Sequence, residues 1–316
     1  MTKNETLGSG NATMNDKTRR NLPLGFRLVQ GILRAIPQPV HRTMIRLTAR
    51  TAKALDRRHT HIARVNLDLA FGDTMSREEK ERIIVRSYEN LMIVALDTLF
   101  NQGASREAIL SKVTFEHEEI LHQALQSGKP ILFVTAHYGN WELGTLAIAA
   151  KFHIPLSVVG RPLDWAWADR ILRATREQFG VRMIPKQNAM KAMIRAMKAG
   201  EALGLVVDQN TASKQGELID FFGHKARHTP AAAILARKFD AVVIPVFSRT
   251  ENDRHWTVTF HTPLPVRKSD DPDADILDQI RRQAAVTEKV IRQKPDEWLW
   301  LHQRWKNQYE ELYRVP

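Results

Sequence analysis

The chain has 316 residues, 43% of them hydrophobic, with no cysteine and a formal net charge of +12. That length suits one large domain or a domain with an appendage, and the missing cysteine excludes a disulfide framework, a thiolate metal site and a cysteine nucleophile, in keeping with a reducing compartment. The charge is concentrated: residues 1–70 hold thirteen Lys/Arg against four acids, nine of the twelve net positive charges, which predicts an anionic partner such as nucleic acid, anionic lipid or an acidic protein.

Residues 1–20 are polar and lack an apolar run, so they read as a disordered tail and not as a cleavable signal peptide. From Leu22, the residues Leu24, Leu28, Ile32 and Ile36 recur at i, i+4, with Arg27 and Arg34 mainly on the other side. This is an amphipathic basic helix ending near Pro37, and it either packs on the domain or lies in a membrane interface. Arg27, Arg34, Arg42, Arg46 and Arg50 interrupt every apolar stretch here, so no transmembrane helix is expected. A second helix is predicted over 41–56. Ser76-Arg-Glu-Glu79 is a capping box that starts a long helix toward Phe100, and another helix spans about 116–126. The region 21–125 therefore reads as wholly helical.

The remainder, 126–316, alternates. Strands are expected at Pro130–Ala136, Leu156–Val159, 181–184, Leu203–Val207, Ala241–Phe247 and Trp256–Phe260. Helices are expected at about 142–152, 164–179, from an Asn188 cap to Ala199, from Thr229-Pro230 to Phe239, and at 273–293, with a long loop from 208 to about 228. This predicts an α/β fold: a mixed, mainly parallel sheet flanked by helices, forming one unit with 60–125. Sites in such sheets gather at the C-terminal ends of strands.

Polar residues stand at three of those ends: His137 to Glu142, Arg161, and Asp208-Gln209. Histidine is the usual general base near neutral pH, and a carboxylate on its far ring nitrogen fixes the tautomer. A strand-turn-helix would let Glu142 fold back on His137. Gly139 would leave room for a substrate, and Asn140 would make a polar contact shaping the turn. No serine sits in a nucleophile elbow, so the nucleophile would be a substrate hydroxyl. Alone, H-x4-E fits equally a helix-capping histidine with a surface glutamate; the preceding strand and the HYGNWE context favour a site.

"TAHYGNWELG" (135–144) resembles the H-x4-D/E block of the glycerolipid acyltransferase superfamily, and more closely that of the bacterial lipid A biosynthesis (lauroyl/myristoyl) acyltransferases. Five further blocks follow the family's order. "NLDLAFGD" (66–73) has Gly72 where proline is usual, and "VVGRPL" (158–163) carries the arginine. "VVDQN" (206–210), "FFGHKARHTPAA" (221–232) and "DEWLWLHQRWK" (296–306) complete the set. The resemblance covers about 60–306. It implies transfer of a fatty acyl chain from a thioester, usually acyl-acyl-carrier-protein, to a glycolipid hydroxyl such as that of a lipid A precursor. No cofactor is implied; the donor, carried by acyl-carrier protein or by CoA, is a co-substrate. His137 would take the hydroxyl proton and Glu142 would orient it. Arg161 would meet the oxyanion or a lipid phosphate. Asp208 would shape the acceptor pocket or hold Arg161, with Gln209, Phe222 and Gly223 also on the substrate side. Most relatives carry a transmembrane anchor. Here the expectation is monotopic attachment through residues 22–50 to the cytoplasmic face of the bacterial inner membrane, with acidic acyl-carrier protein, anionic lipid and the glycolipid acceptor as partners.

Other features have plainer readings. His224 and His228 lack the further ligands of a metal site. Trp165 and Trp167 are interfacial anchors, part of an acyl tunnel, or packing. Trp298, Trp300 and Trp305 pack the C-terminus on the sheet, and Arg304 is within conceivable reach of the site. The rivals are a hydrolase, which lacks its nucleophile, and a nucleic-acid binder, which would need basic residues interleaved with exposed aromatics on a recognised module. A lipid-binding member that has lost catalysis is disfavoured by the intact His137 and Glu142. The patterns fit a lipid A precursor, another glycolipid or an aminolipid as acceptor.

Overall fold

The structure, a computed structural model, describes residues 24–212 and 215–315. The expected polar tail therefore lies outside the described residues. Four helices open the described chain: α1 (Leu24–Ala35), α2 (Gln38–Leu55), α3 (Arg57–Phe71) and α4 (Arg77–Asn101). Pro37, extended at ψ 141°, separates α1 from α2. Asp56 caps α3 by accepting from the His59 N–H at 3.0 Å. Ser76 caps α4 by accepting from the Glu79 N–H at 3.2 Å, as the capping-box pattern predicts.

Strand and helix then alternate through α5 (Arg106–Leu110), β1 (Val113–Glu116), α6 (Glu118–Gln126), β2 (Ile131–Thr135), α7 (Trp141–Phe152), β3 (Leu156–Gly160), α8 (Ala166–Glu177), β4 (Val181–Pro185), α9 (Ala189–Lys198) and β5 (Ala202–Val206). The chain closes with β6 (Glu217–Phe221), β7 (His224–His228), α10 (Ala231–Phe239), β8 (Val242–Thr250), β9 (Trp256–Phe260) and α11 (Pro272–Gln293). Seven strands form one sheet in the order β1-β9-β8-β2-β5-β3-β4. Every pair in it is parallel except β8 with β9. This is the expected mixed, mainly parallel sheet.

Two elements depart from expectation. The region before residue 126 is not wholly helical, because Val113–Glu116 pairs in parallel with Trp256–Thr259 at the sheet edge. The segment read as a long loop contains the β6–β7 hairpin, turned by Phe222 (φ 55°) and Gly223 (φ 77°). Positive φ at both central residues is the geometry of a two-residue type I′ turn.

The chain runs outward from β2 to β3 and β4, returns to insert β5 beside β2, then crosses to β8 on the other side. β2 and β5 are thus neighbours where the order reverses, which is where such sheets open a crevice at their carboxyl ends. Buried Leu132, Val134, Leu203, Leu205, Leu235 and Met193 pack one sheet face, and Phe133, Leu143, Leu146, Ile244 and Phe260 pack the other. A third cluster joins α3 and α4 to Phe221, Trp298, Trp300 and Trp305. Those three tryptophans are at most 2% exposed. Burying about 150–250 Å² each, they contribute on the order of 4–6 kcal/mol apiece as an upper bound.

Candidate active site

β2 ends at Thr135, and the next residues carry the ladder one step further. The Val207 N–H donates to the Thr135 carbonyl at 2.9 Å, so the residues after β5 stay level with those after β2. Asp208 therefore arrives opposite His137. One of its oxygens lies 2.9 Å from His137 Nδ1, and the other accepts the His137 backbone N–H at 2.9 Å and the Trp298 indole N–H at 2.7 Å.

Asp208 is 3% exposed. Burial alone would raise its carboxyl, but the His137 charge and the bonds from His137 and Trp298 outweigh it and hold the group well below the usual carboxylate range. An ionised carboxylate offers no proton, so Nδ1 must carry the hydrogen and donate. Nε2 then presents its lone pair as an acceptor. It faces the Gln209 side-chain amide, whose Nε2 lies 3.4 Å away. The Trp141 ring meets the imidazole edge-on at 5.1 Å between centroids.

The closing segment clamps this arrangement. Residues 137–139 pair antiparallel with 297–299: Leu299 N–H donates to His137 O at 3.0 Å, Gly139 N–H donates to Glu297 O at 2.9 Å, and Tyr138 bridges Trp298. His302 Nε2 accepts the Asn210 N–H at 3.0 Å, and Arg304 donates to Gln209 O at 3.3 Å. Burial outweighs the opposing pull of the Asp208 charge and, with smaller help from the His137 and Arg304 charges, lowers His302 to about 4, so its neutral ring can accept that bond. One segment thus holds both strand ends.

Several expectations need correction. Glu142 does not hold His137: it lies at the start of α7, and both its oxygens accept from Arg176 of α8, at 2.9 Å and 2.5 Å. The carboxylate on His137 Nδ1 is that of Asp208. Gly139 does not clear space for a substrate. At φ 56°, an added Cβ would stand 1.8 Å from the Ser248 carbonyl oxygen, so the glycine permits contact with β8. Asn140 is buried and shapes the turn, accepting from Leu143 N–H at 3.0 Å and donating to Asp97 at 2.7 Å. Arg161 is exposed and pairs with Asp164, and Asp208 does not hold it. Phe222 and Gly223 form the hairpin turn, with the Phe222 ring packed against Phe71, Trp300 and Trp305, so Phe222 faces the core.

Arg304 is fully buried, donating to Arg227 O and lying over the Phe221 ring at 4.9 Å, and so it supports the site from behind. Its guanidinium is 3.1 Å from His228 Nδ1, while His224 meets the Tyr309 hydroxyl at 3.1 Å. The expected base, His137, is thus brought together with Asp208 and Gln209. Trp298 and His302 were legible only as members of a C-terminal motif, whose spacing does not say which strand ends it touches.

A family model described as bacterial lipid A biosynthesis acyltransferase matches residues 24–307. The chain is 24% identical over 264 residues to a lipid A biosynthesis acyltransferase of Haemophilus influenzae, covering 79% of this chain and 77% of the relative. It is 23% identical over 261 residues to a lipid A biosynthesis palmitoleoyltransferase of Escherichia coli, covering 81% of each. A lipid A biosynthesis myristoyltransferase of Escherichia coli is 24% identical over 294 residues, 88% of this chain and 84% of that one.

Proposed function

The chain belongs to the bacterial lipid A biosynthesis acyltransferase family, and from that premise we propose that it transfers a fatty acyl chain from an acyl-carrier-protein thioester to a hydroxyl of a lipid A precursor, with His137 as general base oriented by Asp208. The observation that carries this reading is the imidazole whose Nδ1 is fixed by a buried carboxylate at 2.9 Å while Nε2 faces the crevice amide of Gln209.

In this mechanism Nε2 takes the proton of the acceptor hydroxyl as its oxygen attacks the thioester carbon. Asp208 stabilises the imidazolium that results. The Gln209 amide donates to the developing oxyanion. Collapse of the tetrahedral intermediate expels the thiolate, which takes the proton back from Nε2, so the base is regenerated and no covalent enzyme intermediate forms. The Glu142–Arg176 pair ties α7, which follows the His137 turn, to α8.

Among the described residues, no helix is long and apolar enough to cross a membrane. Attachment to the cytoplasmic leaflet is instead proposed for residues 22–50, of which 22 and 23 lie outside the described part. Leu28, Val29, Ile32, Val40, Met44 and Leu47 of α1 and α2 are exposed, alongside Arg27, Arg46 and Arg50. That combination suits an anionic lipid interface.

The test is a purified-enzyme assay with a panel of acyl-carrier-protein donors and lipid A precursors, read by mass spectrometry. Wild type is expected to add one acyl chain, and His137→Ala to fall to background. Near-normal turnover in His137→Ala would refute the general-base role. Transfer only from acyl-CoA, or only to another lipid, would replace the donor or the acceptor in this reading.

A further inference from the structure

Three large apolar side chains stand in solvent within seven residues after β3: Leu163 is 45% exposed, Trp165 70% and Trp167 59%. The two indoles stack, with centroids 6.2 Å apart and planes 9° from parallel. Trp256, Trp298, Trp300 and Trp305 are buried and Trp141 is half-buried, so the exposed indole surface is confined to this loop and the first turn of α8 that closes it. A solvent-exposed indole forgoes the largest apolar burial any side chain can make.

The loop that presents them is built. The Leu163 N–H donates to Asp169 at 3.0 Å, and the Arg173 guanidinium donates to the other Asp169 oxygen at 2.6 Å. Where the loop leaves β3, the Lys186 N–H donates to the Gly160 carbonyl at 3.0 Å. The indoles are therefore held outward by a fastened backbone.

Position and charge identify what covers them. β3 is the neighbour of β5, so the loop leaves the same sheet edge as Asp208 and Gln209. Arg161, Arg170 and Lys186 are exposed around it, with Asp164 paired to Arg161. The helix that follows the loop, α8, is tied to α1 through Gln102. The Gln102 side-chain oxygen accepts from Thr175 of α8 at 2.6 Å, and its backbone carbonyl accepts from Gln30 of α1 at 3.0 Å. Both helices thus hang from one helix end. Indole pairs flanked by cations favour the headgroup region of an anionic bilayer.

We propose that the Leu163–Trp167 loop inserts into the interface of an anionic phospholipid bilayer and holds the mouth of the His137 site against it. This rests on the reading of the protein as an acyltransferase with a lipid acceptor, and it adds a second contact to the one assigned to α1 and α2. The acceptor then reaches Nε2 from the plane of the membrane without crossing water.

The experiment uses the full chain and vesicles of phosphatidylglycerol and phosphatidylcholine whose acyl chains carry bromine. Wild-type tryptophan emission is expected to shift blue and to be quenched, because the exposed indoles alone reach the chains. Trp165→Ser/Trp167→Ser should abolish the quenching and weaken vesicle affinity roughly tenfold or more. Leu28→Ser/Ile32→Ser should weaken binding while the indoles that still reach the lipid remain quenched.

Turnover with detergent-dispersed acceptor separates this inference from the catalytic reading. The tryptophan double variant should keep it in detergent and lose it on vesicles. Vesicle binding by wild type without quenching overturns the proposal. So does an equal loss of turnover in detergent, which would make the loop part of the acyl site. A lipid-independent, concentration-dependent blue shift would assign the patch to a second copy of the chain and overturn it too.

Discussion

Asp208 accepts three hydrogen bonds, and each constrains something different. The Nδ1 bond sets the His137 tautomer, the backbone N–H sets the turn, and the Trp298 indole sets the carboxylate plane. Asp208→Asn keeps the shape but can offer Nδ1 an N–H, which favours the tautomer with Nε2 protonated. We expect kcat to fall by about 10³–10⁴ with KM little changed. Trp298→Phe removes one donor and should lower kcat roughly tenfold. Steady-state kinetics on both variants decides this, and an Asp208→Asn enzyme within a few-fold of wild type would exclude the orienting role. His137 was legible because a histidine ending an apolar strand is conspicuous. Its partner was not, because H-x4-E cannot reveal that Arg176, thirty-four positions away, occupies the glutamate. Asp208 was visible as a strand-end acid, but its pairing depends on β5 inserting beside β2.

The segment 297–299 acts as an extra strand on the turn that follows β2. That pairing requires Gly139 in a left-handed conformation with its Cα against the Ser248 carbonyl. Gly139→Ala should therefore cost about 3 kcal/mol or more, combining backbone strain with a clash against rigid backbone. Chemical denaturation tests this, and an alanine variant as stable as wild type would mean that the β2 turn and β8 can separate freely. The major helices and central strands were legible from periodicity and caps. β1 was not, since four residues carry little pattern and their partner, β9, lies about 140 positions downstream. The β6–β7 hairpin was hidden for another reason. Its strands bear exposed charges, and its turn uses Phe222, a bulky residue that rarely adopts positive φ.

Fold class and charge asymmetry could be read from the chain as a whole, whereas the way its interior titrates depends on packing. Burial and the neighbouring Arg304 charge lower His228 to about 3, and His302 is lowered to about 4. Both stay neutral in the fold while the unfolded chain takes up protons below about 6.5. Their contribution to stability is therefore lost as pH falls from about 6.5 through those values. Glu297 works in the opposite direction. Burial raises it to about 7, against the pull of Arg86 at 4.0 Å and Lys294 at 3.4 Å. The folded state then holds a proton that the unfolded chain releases near 4.5, so Glu297 costs stability progressively as pH rises from about 4.5 to about 7. The full cost is about 3 kcal/mol, for a shift from 4.5 to about 7. Glu297→Gln removes that titration while keeping the backbone carbonyl that accepts from Gly139. The variant's gain in Tm over wild type should grow between pH 4.5 and 7 and level off above it, in thermal melts from pH 4 to 8. A Tm difference independent of pH would show that Glu297 is ionised throughout and paired by Lys294 and Arg86. In that case the clamp on the His137 turn would be built on a salt bridge and not on a protonated acid.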